Sequence, residues 1–340
     1  MLLNELPQAS RHEIAAWTLM AVALVLVLEL HLLPALLGGL LVFELVHILA
    51  PRLRIWRLDS TWSKVAAVAL LATIVVTLVT LAVLGVIALL RSDVGSPGGL
   101  LKELAAIIDQ SRNILPRWAQ EKLPANADQL RDATVAWLRA HAKEFQAVGT
   151  GFGRALAHIL IGMVIGALIS LREAAPQREV GPLSQALAER IGRLGSAFRR
   201  VVFAQVRISA LNTTLTAIYL AVILPLLGVH LPFVKTMIAV TFLAGLMPVI
   251  GNLISNTVIC IISLSHSLHV TLASLGFLVV IHKLEYFANA RIIGSQIRSR
   301  AWELLVAMLT MEAAFGIGGV VAAPIFYAYV KDELKSRGLI

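Results

Sequence analysis

Glu312 stands in "AMLTMEAAFGIGG", an apolar stretch, four residues ahead of Gly316. An ionisable side chain within a membrane span costs about 2.5–3.5 kcal/mol on insertion scales, so it should face protein or water and is a candidate for handling an ion or a solute. A carboxyl group there could exchange a proton as access alternates between the two sides of a membrane, or act as a structural acceptor bonded across helices. Glu285 and Asn289 in "LEYFAN" are four apart, one helical turn, so both fall on one face and could hold a cation or polar solute together. Lys283 and Arg291 lie nearby, and an interfacial salt bridge explains Glu285 equally well. Asn252 and Asn256 repeat the four-residue spacing and could line the same cavity, although stabilising a bend is a sufficient role for Asn252. Glu44 and His47, three apart, read as a structural pair.

Other chemistries find little support. There is no Gly-x-x-x-x-Gly-Lys-[Ser/Thr] loop to cradle phosphates, no nucleophile elbow and no zinc-protease helix motif, so neither nucleotide hydrolysis nor an enzyme is expected. His266 and His269 are the only grouped histidines near an outer loop, a weak signal, and no metal or other cofactor is expected. The single cysteine, Cys260, excludes a disulfide within one chain.

The elements that carry these residues are membrane spans. Of 340 residues, 58% are hydrophobic and 14% charged, and the mean hydropathy is +0.83, above what a water-soluble globule of this length needs for its core. The net charge of +9 sits in short basic segments bordering apolar runs, which points to membrane topology instead of nucleic acid. A span needs about 20 apolar residues. That ruler places spans at 14–33, 35–50 and 65–90, giving an amino-terminal block 1–90, with the first run retained because it does not read as a cleaved signal peptide. Residues 91–151, opened by "GSPGG" and rich in charge with apolar residues at helical spacing, read as a small helical domain outside the bilayer. Residues 152–340 read as a membrane core, the candidate for transport, with apolar runs at 152–171, 203–228, 232–263, 268–282 and 302–330, and an amphipathic helix at about 180–200 on the cytoplasmic surface.

Basic loops orient the chain. Arg52, Arg54, Arg57 and Lys64 place 51–64 in the cytoplasm, which puts the amino terminus inside and 91–151 outside. Lys283, Arg291, Arg298 and Arg300 also belong inside, and they reach that side only if 232–263 dips into the membrane and returns, bending at Pro248 to Gly251. Proline removes a backbone donor and glycine permits a tight reversal. Residues 302–330, interrupted at Gly316, Gly318 and Gly319 and followed by the basic flank "KDELKSRG", suggest a second hairpin of the same kind. Two such elements facing each other at the midplane would match the arrangement in which secondary transporters hold substrates. The alternative is that Pro248 kinks one long helix and the glycines permit close packing. The fold class is therefore all-α, a polytopic helical membrane protein with two re-entrant or broken hairpins and a small helical extracytoplasmic insert.

The succession "FAQVRISALNTTLTAIYLAVILPLLGVHLP", "AGLMPVIGN", "HKLEYFANARIIGSQI" and "FGIGGVVAAPIFYAYVKDEL" resembles the autoinducer-2 exporter family, and the layout agrees over nearly the whole chain. By position, the family's Pro-x-x-Gly falls on Pro248 and Gly251, its membrane-edge glutamate on Glu285, its next glycine on Gly294, and its Gly-x-x-Gly with later proline on Gly316, Gly319 and Pro324. Asn252, Ala301, Trp302 and Glu312 depart from that pattern. The resemblance implies an oligomeric, multispanning permease of the plasma (inner) membrane that exports small polar solutes, some relatives being linked to autoinducer-2 release and others to sodium–proton exchange. The expected partners are thus the lipid bilayer, a small polar solute, H+ or Na+, and further copies of the chain. The readings kept beside this one are a passive pore and a membrane scaffold acting through its external domain.

Overall fold

The computed structural model describes residues 10–53, 59–91, 127–172, 181–247, 250–264, 266–297 and 301–340, and every regular element among them is helical. The fold is all-α. In chain order the helices are α1 (Arg11–Glu29), α2 (Leu33–Leu53), α3 (Ser60–Arg91), α4 (Ala127–Ala140), α5 (Ala142–Arg172), α6 (Pro182–Ile218), α7 (Val234–Gly245), α8 (Ile250–Leu264), α9 (Leu268–Ile297) and α10 (Ala301–Ser336). A π-helical turn, Tyr219–Ile223, and a single turn, Leu224–Leu226, prolong α6. By length and composition alone, six described helical stretches could cross a membrane: Arg11–Glu29, Leu33–Leu53, Thr61–Gly85, Ala142–Arg172, Pro182–Leu226 and Trp302–Ser336, the last broken at Gly316.

Local chemistry sets the boundaries. Ser10 caps α1 through a capping box: its hydroxyl accepts from the Glu13 amide at 3.2 Å while its own amide donates to the Glu13 carboxylate at 2.9 Å. The helix ends where His31 takes a left-handed φ of 56° and the Leu32 amide reaches back to the Val27 carbonyl at 2.8 Å. Pro34 then sits in the first turn of α2, where its missing donor costs nothing. The first break thus falls at residues 30–32, ahead of Pro34, and α2 starts two residues before the run expected from 35. Pro225 has a comparable effect on α6. Having no N–H, it cannot bond to the carbonyl of Ala221, and the turn before it widens so that the Leu224 amide bonds to Tyr219.

The helices also run through several boundaries drawn from the sequence. α5 begins at Ala142 and continues past residue 151, so charged insert and apolar run share one helix. The segment at about 180–200 is the first half of the 37-residue α6, with no break near 200. Its Leu194, Ala197 and Phe198 are buried in a protein core with Met20, Leu24 and Phe326, while Ile191 of the same apolar stripe is exposed. α9 extends to Ile297, beyond the run expected to end at 282. Residues 92–126 of the expected external domain, and Pro248, lie outside the described residues.

The chain forms two compact units, one from residues 1–76, 149–203 and 293–340, the other from 77–148 and 204–292. In the first, α2 and α5 touch backbone to backbone: a Cβ on Gly162 would stand 2.0 Å from the Ala35 carbonyl oxygen. Small residues permit such approach, and in a membrane this packing supplies association that hydrophobicity cannot. In the second, the core is Tyr219, Leu220 and Leu224 from the extension of α6, with Met237 of α7, Ile259 of α8 and Leu278 of α9.

Candidate functional site

Each unit contains one helix pair in which the chain doubles back. In the second unit α7 ends at Gly245 and α8 starts at Ile250. A Cβ on Gly251 would lie 1.9 Å from the Ala244 carbonyl oxygen, seven residues earlier. A straight helix would separate those residues by about 10 Å, so the backbone has reversed, and only glycine fits at the crossing. The arms have 12 and 15 residues, about 18 and 22 Å, and neither alone spans a hydrocarbon core of about 30 Å.

A break of this kind strips the last turn of α7 of its normal hydrogen-bond donors. Side chains of α6 replace them. Gln205 Nε2 donates to the Gly245 carbonyl at 2.8 Å, and Ser209 Oγ donates to the Phe242 carbonyl at 2.7 Å. One turn further on, Asn212 Nδ2 donates to Asn252 Oδ1 at 3.2 Å, tying α6 to the first turn of α8. Thr216 and Tyr219 continue the line, and the Tyr219 hydroxyl lies 3.0 Å from Ser274 Oγ, itself 2.9 Å from Ser263 Oγ. Ser209 and Thr216 are each 1% exposed. Residues 205, 209, 212, 216 and 219 form a polar seam on one helical face, with spacings of four, three, four and three. Nothing in the sequence expectations pointed to this seam, although its period is visible in "AQVRISALNTTLTAIY".

In the first unit the reversal occurs within α10. Gly316 has φ 62° and ψ −146°, a region that residues bearing a Cβ rarely enter. A Cβ on Gly319 would stand 1.9 Å from the Met311 carbonyl oxygen. The roots of the arms meet as well: Lys331 Nζ donates to Glu303 Oε2 at 2.7 Å, and the Tyr327 hydroxyl donates to the same carboxylate. Residues 28 apart would be about 42 Å distant along a straight helix. The midpoint of each pair falls within a residue of Gly316.

Ionic contacts anchor the second arm of α10. Glu333, 9% exposed, accepts from Trp17 Nε1 and from Arg193 Nη1 at 2.6 Å, and lies 3.3 Å from Nε of the buried Arg190. Arg200 pairs with Asp332 and Arg337 with Glu13. The guanidinium groups of Arg190 and Arg337 lie 5.4 and 4.9 Å from the Trp17 ring centre, within cation–π range. What the sequence presents as basic flanks is a network joining α1, α6 and α10.

The candidate residues divide accordingly. Asn252 is half-buried and bonded to Asn212; Asn256 is half-buried one turn further along α8. Glu312 is exposed, one turn before Gly316. Gly251, Gly316 and Gly319 sit where a side chain would clash or strain the backbone, whereas a methyl on Gly318 would touch only Leu33, at 4.0 Å. Pro324 is buried in the second arm, away from the bend. Glu285 and Asn289 share α9, but their side chains lie outside the described residues.

A family model described as AI-2E family transporter matches residues 14–336 of the chain. No curated protein and no solved structure matches it.

Proposed function

Because the chain belongs to the AI-2E family of transporters, and so is a multi-pass membrane transporter, we propose that it is a secondary exporter of small polar solutes, coupled to H+ or Na+. The observation that carries this reading is the pair of reversals, one between α7 and α8 and one at Gly316. Non-helical backbone at membrane depth survives only beside protein or a wet cavity, and broken helices are where secondary transporters hold their cargo. In this reading both hairpins enter and leave the membrane on one side. The short arms of α7 and α8 support that.

Asn252, Asn256, Glu285, Asn289 and Glu312 are the proposed path-lining and coupling groups, with Glu312 exchanging the ion. Its exposure on an isolated chain would be costly in lipid, which favours a homo-oligomer or a water-filled path covering it. The protein would lie in the plasma (inner) membrane with its amino terminus in the cytoplasm and residues 91–151 outside, and it would perform no catalysis.

The test is flux from proteoliposomes holding the purified protein and a panel of short polyols and pentoses, with and without an imposed proton or sodium gradient. Gradient-dependent efflux that becomes gradient-independent in Glu312→Gln is expected. Efflux indifferent to either gradient in the unmodified protein would mark a passive pore and reject the coupled reading.

A further inference from the structure

Glu44 lies about halfway along α2, whose 21 residues are long and apolar enough to cross a membrane. Its side chain is 9% exposed. Room for its carboxylate comes from a gap in α6: a Cβ on Gly195 would stand 2.8 Å from Glu44 Oε1. The nearest cation, Arg199 Nε, is 3.8 Å from Oε2, beyond hydrogen-bond distance. Among the described residues no hydrogen bond reaches the carboxylate. Among the described residues, the charged or titratable groups that act on it are Arg199 of α6 and His47 on its own helix. From α3 and α5, Ala67, Leu71, Met163 and Ala167 pack as apolar neighbours on this part of α2.

Glu333 provides the comparison. Its side chain is equally enclosed, at 11% exposure, yet it has Arg190, Arg193 and Trp17 around it. Glu303 has Lys331 at 2.7 Å and Tyr327. A buried carboxylate is tolerated as an anion when paired and hydrogen-bonded, and otherwise favours its neutral form. Glu44 is buried like the first and is the one held by a single loose contact. Arg199 is 53% exposed, so the open side of that contact is where water can reach the acid.

We propose that Glu44 is a proton-exchanging carboxylate of this transporter, alternating between a neutral acid and an anion held by Arg199. On uptake, an O–H bond forms on the carboxylate with a proton delivered by water at the Arg199 side. On release the proton returns to water, the O–H bond breaks and Arg199 closes on the anion. No other atom or electron changes hands. This deepens the transport reading by adding Glu44 as a second exchanging carboxylate, distinct from Glu312 and specific for the proton, and it rests on that reading only for the use made of the proton.

The decisive measurement is the pH-difference infrared spectrum of the full-length protein in lipid, which reports protonated carboxyl groups by their C=O stretch. A carboxyl band that appears on acidification, vanishes in Glu44→Gln and changes frequency in Glu44→Asp is expected. At a fixed neutral pH the band should be larger in Arg199→Gln, where the opposing charge is gone. It should persist in Glu312→Gln. Survival of the band in Glu44→Gln, or its loss in Glu312→Gln instead, overturns the proposal. If Glu44 gives the band while vesicles show no gradient-driven solute flux, the coupled-export reading fails and the proton-exchange role stands. Coupled flux with the Glu44 band missing does the opposite: export stands, and Glu44 is not the group that takes up the proton.

Discussion

The reversal in α10 predicts that a methyl group at residue 319 and one at residue 318 will have very different effects. At Gly319 the added Cβ would stand 1.9 Å from the Met311 carbonyl oxygen. Ordinary contact is about 3.5 Å, so the arms must part by roughly 1.5 Å. Overpacking on that scale costs about 1–3 kcal/mol, a shift of about one to two orders of magnitude between joined and parted arms. At Gly318 the added methyl meets only Leu33, at 4.0 Å. The readout is proximity of the arm roots, where Lys331 and Glu303 are 2.7 Å apart. Cysteines replacing Glu303 and Lys331, in a Cys260→Ala background, should be joined rapidly by a short bifunctional thiol reagent. Gly319→Ala should slow that linkage about tenfold or more, and Gly318→Ala should leave it unchanged. No linkage in any background would mean that residues 301–336 form an extended rod, with the two cysteines about 42 Å apart. Equal slowing by both variants would refute the steric argument while leaving the reversal intact.

Ser209→Ala should cost about 1–3 kcal/mol in thermal unfolding of the detergent-solubilised protein, because it leaves the Phe242 carbonyl without its donor. The control is Thr214→Ala, which removes an exposed hydroxyl bonded within its own helix and should stay within about 0.5 kcal/mol. Gly316→Ala should destabilise by about 1–3 kcal/mol by the same measurement, since φ 62° with ψ −146° strains any residue bearing a Cβ. Arg190→Leu should cost about 3–5 kcal/mol by removing one cation from the buried Glu333, and simultaneous Glu333→Leu should recover part of that loss.

The positions of the breaks are legible in the sequence because glycine and proline are conspicuous in apolar runs. The basic residues after 282, taken with the topology rule, predict a re-entrant bend between 232 and 263, and the structure has a break between α7 and α8 within that span. The helices around those breaks are harder to bound. Membrane insertion is decided by about 20 residues, but a helix continues for as long as its backbone bonds are unopposed. α5, α6 and α9 therefore run beyond the apolar segments that reveal them. The pattern of 183–194 is one-sided in the sequence and one-sided in the fold. Its partner is another matter, because Leu194 and Phe198 present the same face to a lipid surface as to α1 and α10, and periodicity alone does not distinguish the two.

The same limit explains why the polar seam is hard to see in the sequence. In isolation Gln205, Ser209, Asn212, Thr216 and Tyr219 are common polar residues in a predominantly apolar helix, and none is charged. Their meaning comes from what they face. Bending the chain between α7 and α8 leaves carbonyls without helical donors, so the sequence that tolerates the bend must supply donors from another element. Gln205 and Ser209 do so for Gly245 and Phe242, while the reversal in α10 relies instead on Gly316 and on Glu303 meeting Lys331 at the base of its arms. One bend is thus held at its tip by neutral hydrogen bonds, and the other at its root by an ion pair. High salt should loosen the second more than the first, since partly exposed charges are screened and buried neutral bonds are not.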